Sequence, residues 1–366
     1  MKTKKKILVA VTNDISTDER VNKVCKYLTQ RGFDVSVYGR KLPETFDIER
    51  SYRIIRKKHF FNNNFLFYAE YNLRLLWFLF KNKSDYILSN DLDTLLACYI
   101  ISKLKKIELV YDSHEYFTEV PELQGRKFVK GFWTQIEKKI LPNLEKTYTV
   151  SQNIANEYFK RYGIKMEVVK NVPYLNIYIK DEVVSFPTKN KTILYQGVLS
   201  EGRGLKQAIL SLKYLSEVDL VIIGFGKLKN ELIQFVKDNQ MGKRVYFLGR
   251  IPHEKLHNYT KIADIGLVLE EPIGKSFEFS LPNKLFDYIH SSLPIVASSL
   301  KEIKELVQKH NIGLVIKNHE PKTIATTIER LLNDEPLRKE IKKNQEQLRI
   351  KYCWENESKL LDKFFN

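Results

Sequence analysis

The 366-residue chain has little cysteine: Cys25, Cys98 and Cys353 are scattered, odd in number and without a CxxC pair. That excludes a disulfide framework and a structural zinc site, and it suits a reducing cytoplasm. Long hydrophobic runs are also missing. Behind the basic start MKTKKK the apolar stretch covers only Ile7 to Val11, too short for a signal-peptide core and suited to a first strand. Phe65 to Phe80 is richly aromatic, but Glu70, Asn72 and Arg74 interrupt it, so it falls short of the ~20 apolar residues of a spanning helix. With basic residues on both sides it reads either as a core helix between strands or as an interfacial helix with aromatic anchors. Acid is in deficit: 44 Asp and Glu stand against 61 Lys and Arg, a net charge of +17. The excess calls for an anionic partner, whether nucleic acid, anionic lipid or phosphorylated substrate, and composition does not choose among them. No P-loop, HExxH or Ser/His/Asp order is present, and Gly224-Phe225-Gly226 lacks the third glycine of a dinucleotide fingerprint.

What is present is alternation. Short apolar runs at Lys6–Val11, Val35–Tyr38, Tyr86–Leu88, Glu108–Tyr111 and Thr147–Val150 are separated by helical patterns, the first with a Ser16/Glu19 capping box. The periodicity lapses over 173–190, bracketed by Pro173 and Pro187, and restarts at Thr192. The expectation is an α/β protein of two doubly wound parallel-sheet domains, 1–172 and 191–351, joined by a 173–190 linker. In such sheets ligands sit at the carboxyl ends of the strands, so the cleft between two facing halves is the default site.

The chain is organised around Phe279–Ser298, FSLPNKLFDYIHSSLPIVAS. Ser280 is expected to cap a helix with Pro282 in its first turn. Asn283, Asp287 and His290 then share a face, while Leu285, Phe286 and Ile289 suit the core. The N-terminus of this helix, with Lys284 beside it, is an anion site, and Asp287 one turn in can accept from ribose hydroxyls. Two further clusters follow strands: Asp112-Ser113-His114-Glu115, and the Gly197–Leu205 turn, whose Arg203 can bind phosphate oxygens.

The order and wording of these words resemble the family 4 glycosyltransferases, retaining enzymes of the GT-B fold, over most of the chain and most strongly from about Ile193 onward. The resemblance implies two Rossmann-like domains facing across a cleft, with the nucleotide on the second and the acceptor on the first. It implies that the helix over 352–366, near the word Tyr352-Cys353-Trp354-Glu355, packs back on the first domain, and that domain closure completes the site. It implies donor contacts from Gly197, Arg203, Gly224, Arg250, Glu278, Ser280, Leu281, Pro282, Asn283, Lys284, Leu285 and Asp287. His114 would contact the sugar near the anomeric centre, with Arg203 and Lys284 on the leaving diphosphate as the other catalytic residues. Asn13, Asp14, Asp112 and Glu115 fall on the acceptor side. The chain departs from the pattern at Val198, where a basic residue is usual, and at Phe279, where a Glu is usual and Glu278 stands beside it. Asp91-Leu92-Asp93 has the DxD form of metal-dependent relatives, but the resemblance implies no metal and no cofactor.

The expected partners are a nucleotide-sugar donor, a UDP- or GDP-sugar, and a glycan or lipid-linked acceptor. The expected place is the cytoplasm or, through an anionic membrane surface, the inner face of the plasma membrane. Two rivals stand beside this reading: a sugar-nucleotide epimerase of the same fold, and a basic nucleic-acid-binding protein, which should show a continuous basic stripe with stacking aromatics. The spread of basic residues along both halves does not favour the second.

Overall fold

Apolar runs of a few residues, too short for helices and rich in Val, Ile and Leu, form the strands of two sheets in which every pairing is parallel. The structure is a computed structural model and describes residues 4–42, 48–175 and 182–365. The chain divides into two units, Met1–Asn171 with Ser358–Asn366, and Val172–Glu357. Of the expected linker 173–190, residues 176–181 lie outside the described residues.

The first unit holds seven strands: β1 (Lys6–Asp14), β2 (Asp34–Arg40), β3 (Arg53–Lys57), β4 (Tyr86–Asn90), β5 (Glu108–Ser113), β6 (Lys146–Thr149) and β7 (Glu167–Val168). Their order is β3-β2-β1-β4-β5-β6-β7. The chain leaves β1 in one direction and returns to start β4 on its other side, so the carboxyl ends of β1 and β4 open a crevice. Among the described residues its α-helices are α1 (Glu19–Gln30), α2 (Asn64–Lys81), α3 (Leu92–Lys105), α4 (Lys127–Ile140) and α5 (Gln152–Tyr162). The aromatic stretch is α2. It buries Phe67, Tyr71, Leu75 and Leu79, a stripe at i, i+4, i+8 and i+12, against Leu8, Ala10 and Ile87 of the sheet.

The start of α1 differs from the capping box read from sequence. Asp18, not Ser16, caps it, its carboxylate accepting from the Val21 amide at 3.0 Å. Ser16 is drawn into the preceding loop, where its amide donates to the Asp14 carboxylate at 2.9 Å. A carboxylate immediately before the first turn outcompetes a hydroxyl two residues further back. At the far end of the chain, Ser358–Lys363 forms a 3-10 helix of this unit. Asp362 accepts from Tyr27 Oη at 2.9 Å, and Phe365 packs against the rings of Phe33 and Tyr86.

The second unit repeats the plan with six strands: β8 (Lys191–Gln196), β9 (Val218–Ile223), β10 (Val245–Gly249), β11 (Ile265–Val268), β12 (Ile295–Ala297) and β13 (Gly313–Val315). The order β10-β9-β8-β11-β12-β13 puts the crevice between β8 and β11. Its first helices are α6 (Leu205–Ser211), α7 (Lys229–Asp238), α8 (His253–Ile262), the single turn α9 (Lys275–Glu278) and α10 (Asn283–His290). The expected Ser280 cap is not formed. α10 begins at Asn283 behind Pro282 without a side-chain cap, and Ser280 Oγ donates to the Phe277 carbonyl at 2.9 Å, closing α9 instead. The intervening turn α9 leaves carbonyls that need a donor, and Ser280 is the nearest. Leu285, Phe286 and Ile289 are buried, as the periodicity requires.

Gly224 carries a steric load. A Cβ on Gly224, at φ +154°, would lie 1.8 Å from the Gly197 carbonyl oxygen, so the turns after β8 and β9 approach backbone to backbone. Gly224→Ala should therefore cost on the order of 2 kcal/mol or more of stability, read by denaturant unfolding. An unchanged midpoint would contradict this packing.

Candidate functional site

In the first unit the strand ends assemble a charged cluster around His114. The β4–α3 junction turns at Asp91, a non-glycine residue held at φ 58°, ψ 170°. Such backbone costs of order 1–3 kcal/mol and persists only where surroundings impose it. Here the Asp91 amide donates to the Asp112 carbonyl at 2.8 Å, and its carboxylate accepts from the His114 amide at 2.7 Å. The same carboxylate lies 3.4 Å from His114 Nδ1, while His114 Nε2 is 3.2 Å from Asp112 and 3.1 Å from the Asn90 side-chain oxygen. Both ring nitrogens thus face acids. Burial alone would depress the imidazolium, but Asp91 and Asp112 together raise it to about 9. Asp112 is in turn gripped by the buried Arg20, through Nε at 3.0 Å and Nη2 at 2.7 Å, and Arg20 spends Nη1 on the Val169 carbonyl at 2.9 Å. Burial pushes the Asp112 carboxyl up, and Arg20 with His114 overrides it, down to about 2. The result is a fixed chain of alternating charge, Arg20–Asp112–His114–Asp91.

The other first-unit candidates separate around this chain. Asn13 donates to Asp18 at 3.1 Å. Asp14 accepts from the amides of Ser16 and Leu42 and from Arg56, all at 2.9 Å; burial raises its carboxyl, and these donors bring it down to about 2. Asp14 and Asp112 are therefore committed internally as loop and strand clamps. Glu115 keeps its side chain exposed. The DxD pair diverges: Asp91 serves His114, whereas Asp93 accepts from Thr12 Oγ1 at 2.5 Å, and burial with the Asp91 charge raises it to about 7.

In the second unit the crevice between β8 and β11 collects the phosphate-binding candidates. Glu270, just beyond the end of β11, is wholly buried and accepts from Lys284 Nζ at 2.7 Å and Arg203 Nη1 at 3.3 Å. Its second oxygen, Oε2, has no partner among the described residues. The Lys284 ammonium also sits over the Tyr195 ring at 4.1 Å, and the Arg203 guanidinium over the Phe277 ring at 4.7 Å. Burial pulls the Lys284 ammonium down to about 8 against the upward pull of Glu270. Burial raises the Glu270 carboxyl, but the two cations prevail and hold it below its ordinary value. Two cations share one carboxylate at the first turn of α10, leaving net positive charge where the helix dipole is also positive. Gly197 lies beside this group, and its φ of 139° rather than lack of space favours glycine: a Cβ there would meet the Lys284 stem at 3.6 Å, an ordinary contact.

Asp287, one turn further, accepts from Gln196 Nε2 at 2.9 Å, and Gln196 is held by Thr260 Oγ1 at 2.9 Å. Arg250 lies over the Phe225 ring at 4.7 Å, beside the Gly224 turn. Leu281 and Pro282 are half-buried ahead of α10, Asn283 is exposed at its start, and Leu285 is core. Glu278 is exposed and lines a cavity of about 620 Å³ with Lys304 and His319. His290 turns inward, 2.8 Å from the Tyr352 carbonyl.

Sequence reasoning missed Arg20, Gln196 and Glu270. Of these Glu270 was within reach, because an acid at the end of an apolar strand in a switch-point position is a site signal. Arg20 sits in a helix whose sequence does not set it apart from its other charged residues, and only the fold reveals it as buried.

Two measurements test the first cluster. His114 should titrate by NMR near 9, and Asp91→Asn should move it back toward the ordinary 6.5. Because this value is raised on folding, the associated stability is complete below pH 6.5 and lost as pH rises through about 9. Arg20→Ala leaves the buried Asp112 with His114 as its one remaining cation and should cost about 3 kcal/mol in denaturant unfolding.

Known proteins match in the same two parts. The family described as Glycosyltransferase Family 4 matches residues 19–172, and that described as Glycosyl transferases group 1 matches 178–348. A Campylobacter jejuni GalNAc-alpha-(1->4)-GalNAc-alpha-(1->3)-diNAcBac-PP-undecaprenol alpha-1,4-N-acetyl-D-galactosaminyltransferase is 25% identical over 73% of this chain and 70% of its own. Sucrose-phosphate synthase from Thermosynechococcus elongatus superposes with a TM-score of 0.82 at 17% identity, over 99% of this chain and 98% of that one. HepE from Anabaena, solved with UDP and glucose, gives 0.75 at 14% identity, over 98% of each chain. With two parallel-sheet units of this order and both domain families matched in sequence, the chain belongs to the family 4 glycosyltransferases of the GT-B fold.

Proposed function

We propose that this glycosyltransferase moves a sugar from a UDP- or GDP-linked donor to a glycan or lipid-linked acceptor, with retention at the anomeric carbon and without a metal ion. The observation that carries the reading is the buried Lys284–Glu270–Arg203 group at the first turn of α10. A donor diphosphate placed there meets two side-chain cations and a helix N-terminus, the charge that a metal supplies elsewhere. Asp287, pre-oriented by Gln196, is assigned to the ribose hydroxyls. HepE, solved with UDP and glucose, and the Campylobacter enzyme, whose name carries an undecaprenol diphosphate acceptor, support the donor and acceptor classes. The matched families favour transfer over epimerisation and over nucleic-acid binding.

In the proposed step the bond from the anomeric carbon to the diphosphate oxygen breaks as Arg203 and Lys284 take up the developing charge. The acceptor oxygen bonds to the same face of that carbon, and its proton passes to the departing diphosphate. His114 is assigned to the sugar side as a fixed cation: at about 9 it stays charged near neutrality and is not a proton shuttle. Asn13 and Glu115 remain assigned to the acceptor side, with Asp112 and Asp14 acting through the groups they hold.

Melting temperatures measured with UDP, GDP, ADP and TDP, with EDTA or magnesium, test the donor site. One nucleotide should stabilise the protein in EDTA, and Arg203→Ala or Lys284→Ala should each weaken its affinity roughly 10- to 100-fold, the worth of a charged hydrogen bond. Stabilisation by none of the four would overturn the reading. The affinity should also fall as pH rises past about 8, where Lys284 loses its proton, and Lys284→Arg should flatten that dependence.

A further inference from the structure

α2 has a second apolar stripe. Leu66, Leu73, Trp77 and Phe80 recur at i, i+7, i+11 and i+14, on the side of the helix opposite the buried Phe67–Leu79 stripe, and all four are exposed. α3 packs against both α2 and α4. Its Leu104 is exposed next to the end of α2, where Lys105 donates to the Leu79 and Phe80 carbonyls. On α4, Phe128 is 95% exposed. The Phe65 and Phe132 rings meet at 6.1 Å, which ties the starts of α2 and α4 together. Three neighbouring helices of the first unit thus present large apolar side chains outward, more than the scattered exposure normal for a monomer.

The charge on these helices is predominantly of one sign, with Lys130 of α4 paired to Glu119 at 2.8 Å. Residues 57–83, 99–107 and 126–140 contain thirteen Lys and Arg against two acids, Glu70 and Glu137. Both acids are engaged internally: Glu70 accepts from the Phe60 and Phe61 amides and pairs with Arg74 at 2.7 Å, and Glu137 is buried, accepting from Tyr162 at 2.6 Å. Several cations lie beside the apolar groups, Lys81 over the Trp77 ring at 4.4 Å and Lys105 over the Phe80 ring at 5.5 Å. A second copy of the chain docking here by two-fold symmetry would set these cations against one another. Among the described residues no helix is long and apolar enough to cross a bilayer. Apolar anchors rimmed by cations fit a surface that is apolar below and anionic above.

We propose that the outer face of α2, α3 and α4 docks on an anionic lipid bilayer, with the apolar side chains in the headgroup–acyl boundary and the lysines on the phosphates. The purpose of this contact, access to a lipid-linked acceptor, rests on the function proposed above; the contact itself does not. The chain provides its own probe. Of its three tryptophans, Trp77 is 61% exposed, whereas Trp133 and Trp354 are 4% and 2% exposed. Vesicles of mixed phosphatidylglycerol and phosphatidylcholine should co-sediment with the full chain and shift its tryptophan emission to the blue. Vesicles of phosphatidylcholine alone should do so at least tenfold more weakly, and ionic strength near 1 M, where the Debye length is about 3 Å, should weaken the anionic binding. Trp77→Phe should keep binding and lose the emission shift. The triple variant Leu73→Ser, Trp77→Ser, Phe80→Ser should lose binding at least tenfold while its melting temperature still rises with the wild-type nucleotide. That last readout separates a failed docking surface from a failed donor site. Equal binding to both vesicle types, or no vesicle binding by wild type, would overturn the proposal. So would concentration-dependent dimerisation in ultracentrifugation that the triple variant abolishes, since it assigns the face to a second copy.

Discussion

The chain depends most on how it keeps charge at the carboxyl ends of two apolar sheets. A parallel strand buried on both faces has no solvent to stabilise an ion, so each ion at its end must be matched within the protein. Glu270 shows the consequence most clearly. Its carboxylate lies beyond β11 with no exposure, and it is tolerable only because Lys284 and Arg203 reach it from α10 and from the turn after β8. That pairing fixes both cations before any ligand arrives, leaves them with a net positive charge, and places that charge at a helix N-terminus. An arrangement made for burial is thereby already an arrangement for an anion.

The first unit answers the same constraint differently. Arg20, Asp112, His114 and Asp91 alternate in sign along a chain running from α1 across β5 to the β4–α3 junction. Every charge has a neighbour of opposite sign, so the cluster is rigid, and its central imidazolium is held charged. The strained turn at Asp91 is the backbone's share of that rigidity, because from this conformation its carboxylate reaches both the amide and the ring of His114. The two units thus share a strand plan and a way of handling ions: one gathers two cations on a single carboxylate, the other closes its charges into an alternating chain.

Much of this was legible in the residues themselves. Strand and helix alternation gave two parallel α/β halves, because buried parallel strands must be short, apolar and interrupted by helices. Arg203 and Lys284 could be read as partners, since a glycine turn and a helix start each announce themselves locally. Hidden were the contacts between residues far apart in sequence. Ser280 has the chemistry of a cap, but whether it caps α10 or closes the turn before it depends on where that turn ends. Ser16 lost its capping role to Asp18 for the same kind of reason, a competition between two good acceptors two residues apart. The partner of Asp112 could not be read at all, because Arg20 lies more than ninety residues away and looks like any surface arginine of a helix. The aromatic stretch is the middle case. Its composition allowed a core helix or an interfacial one, and the fold makes it two-faced, with one stripe inside and one outside.

The central claim is that Lys284 and Arg203, held by Glu270, receive the donor diphosphate. Calorimetry of the stabilising nucleotide at about pH 8.5, repeated in two buffers of different ionisation enthalpy, addresses it directly, because a lysine held near 8 must gain a proton when an anion binds beside it. The account predicts net proton uptake on binding in the wild type and none in Lys284→Arg, whose guanidinium is already charged. Binding with no proton uptake, or with the same uptake in the variant, would place the diphosphate elsewhere.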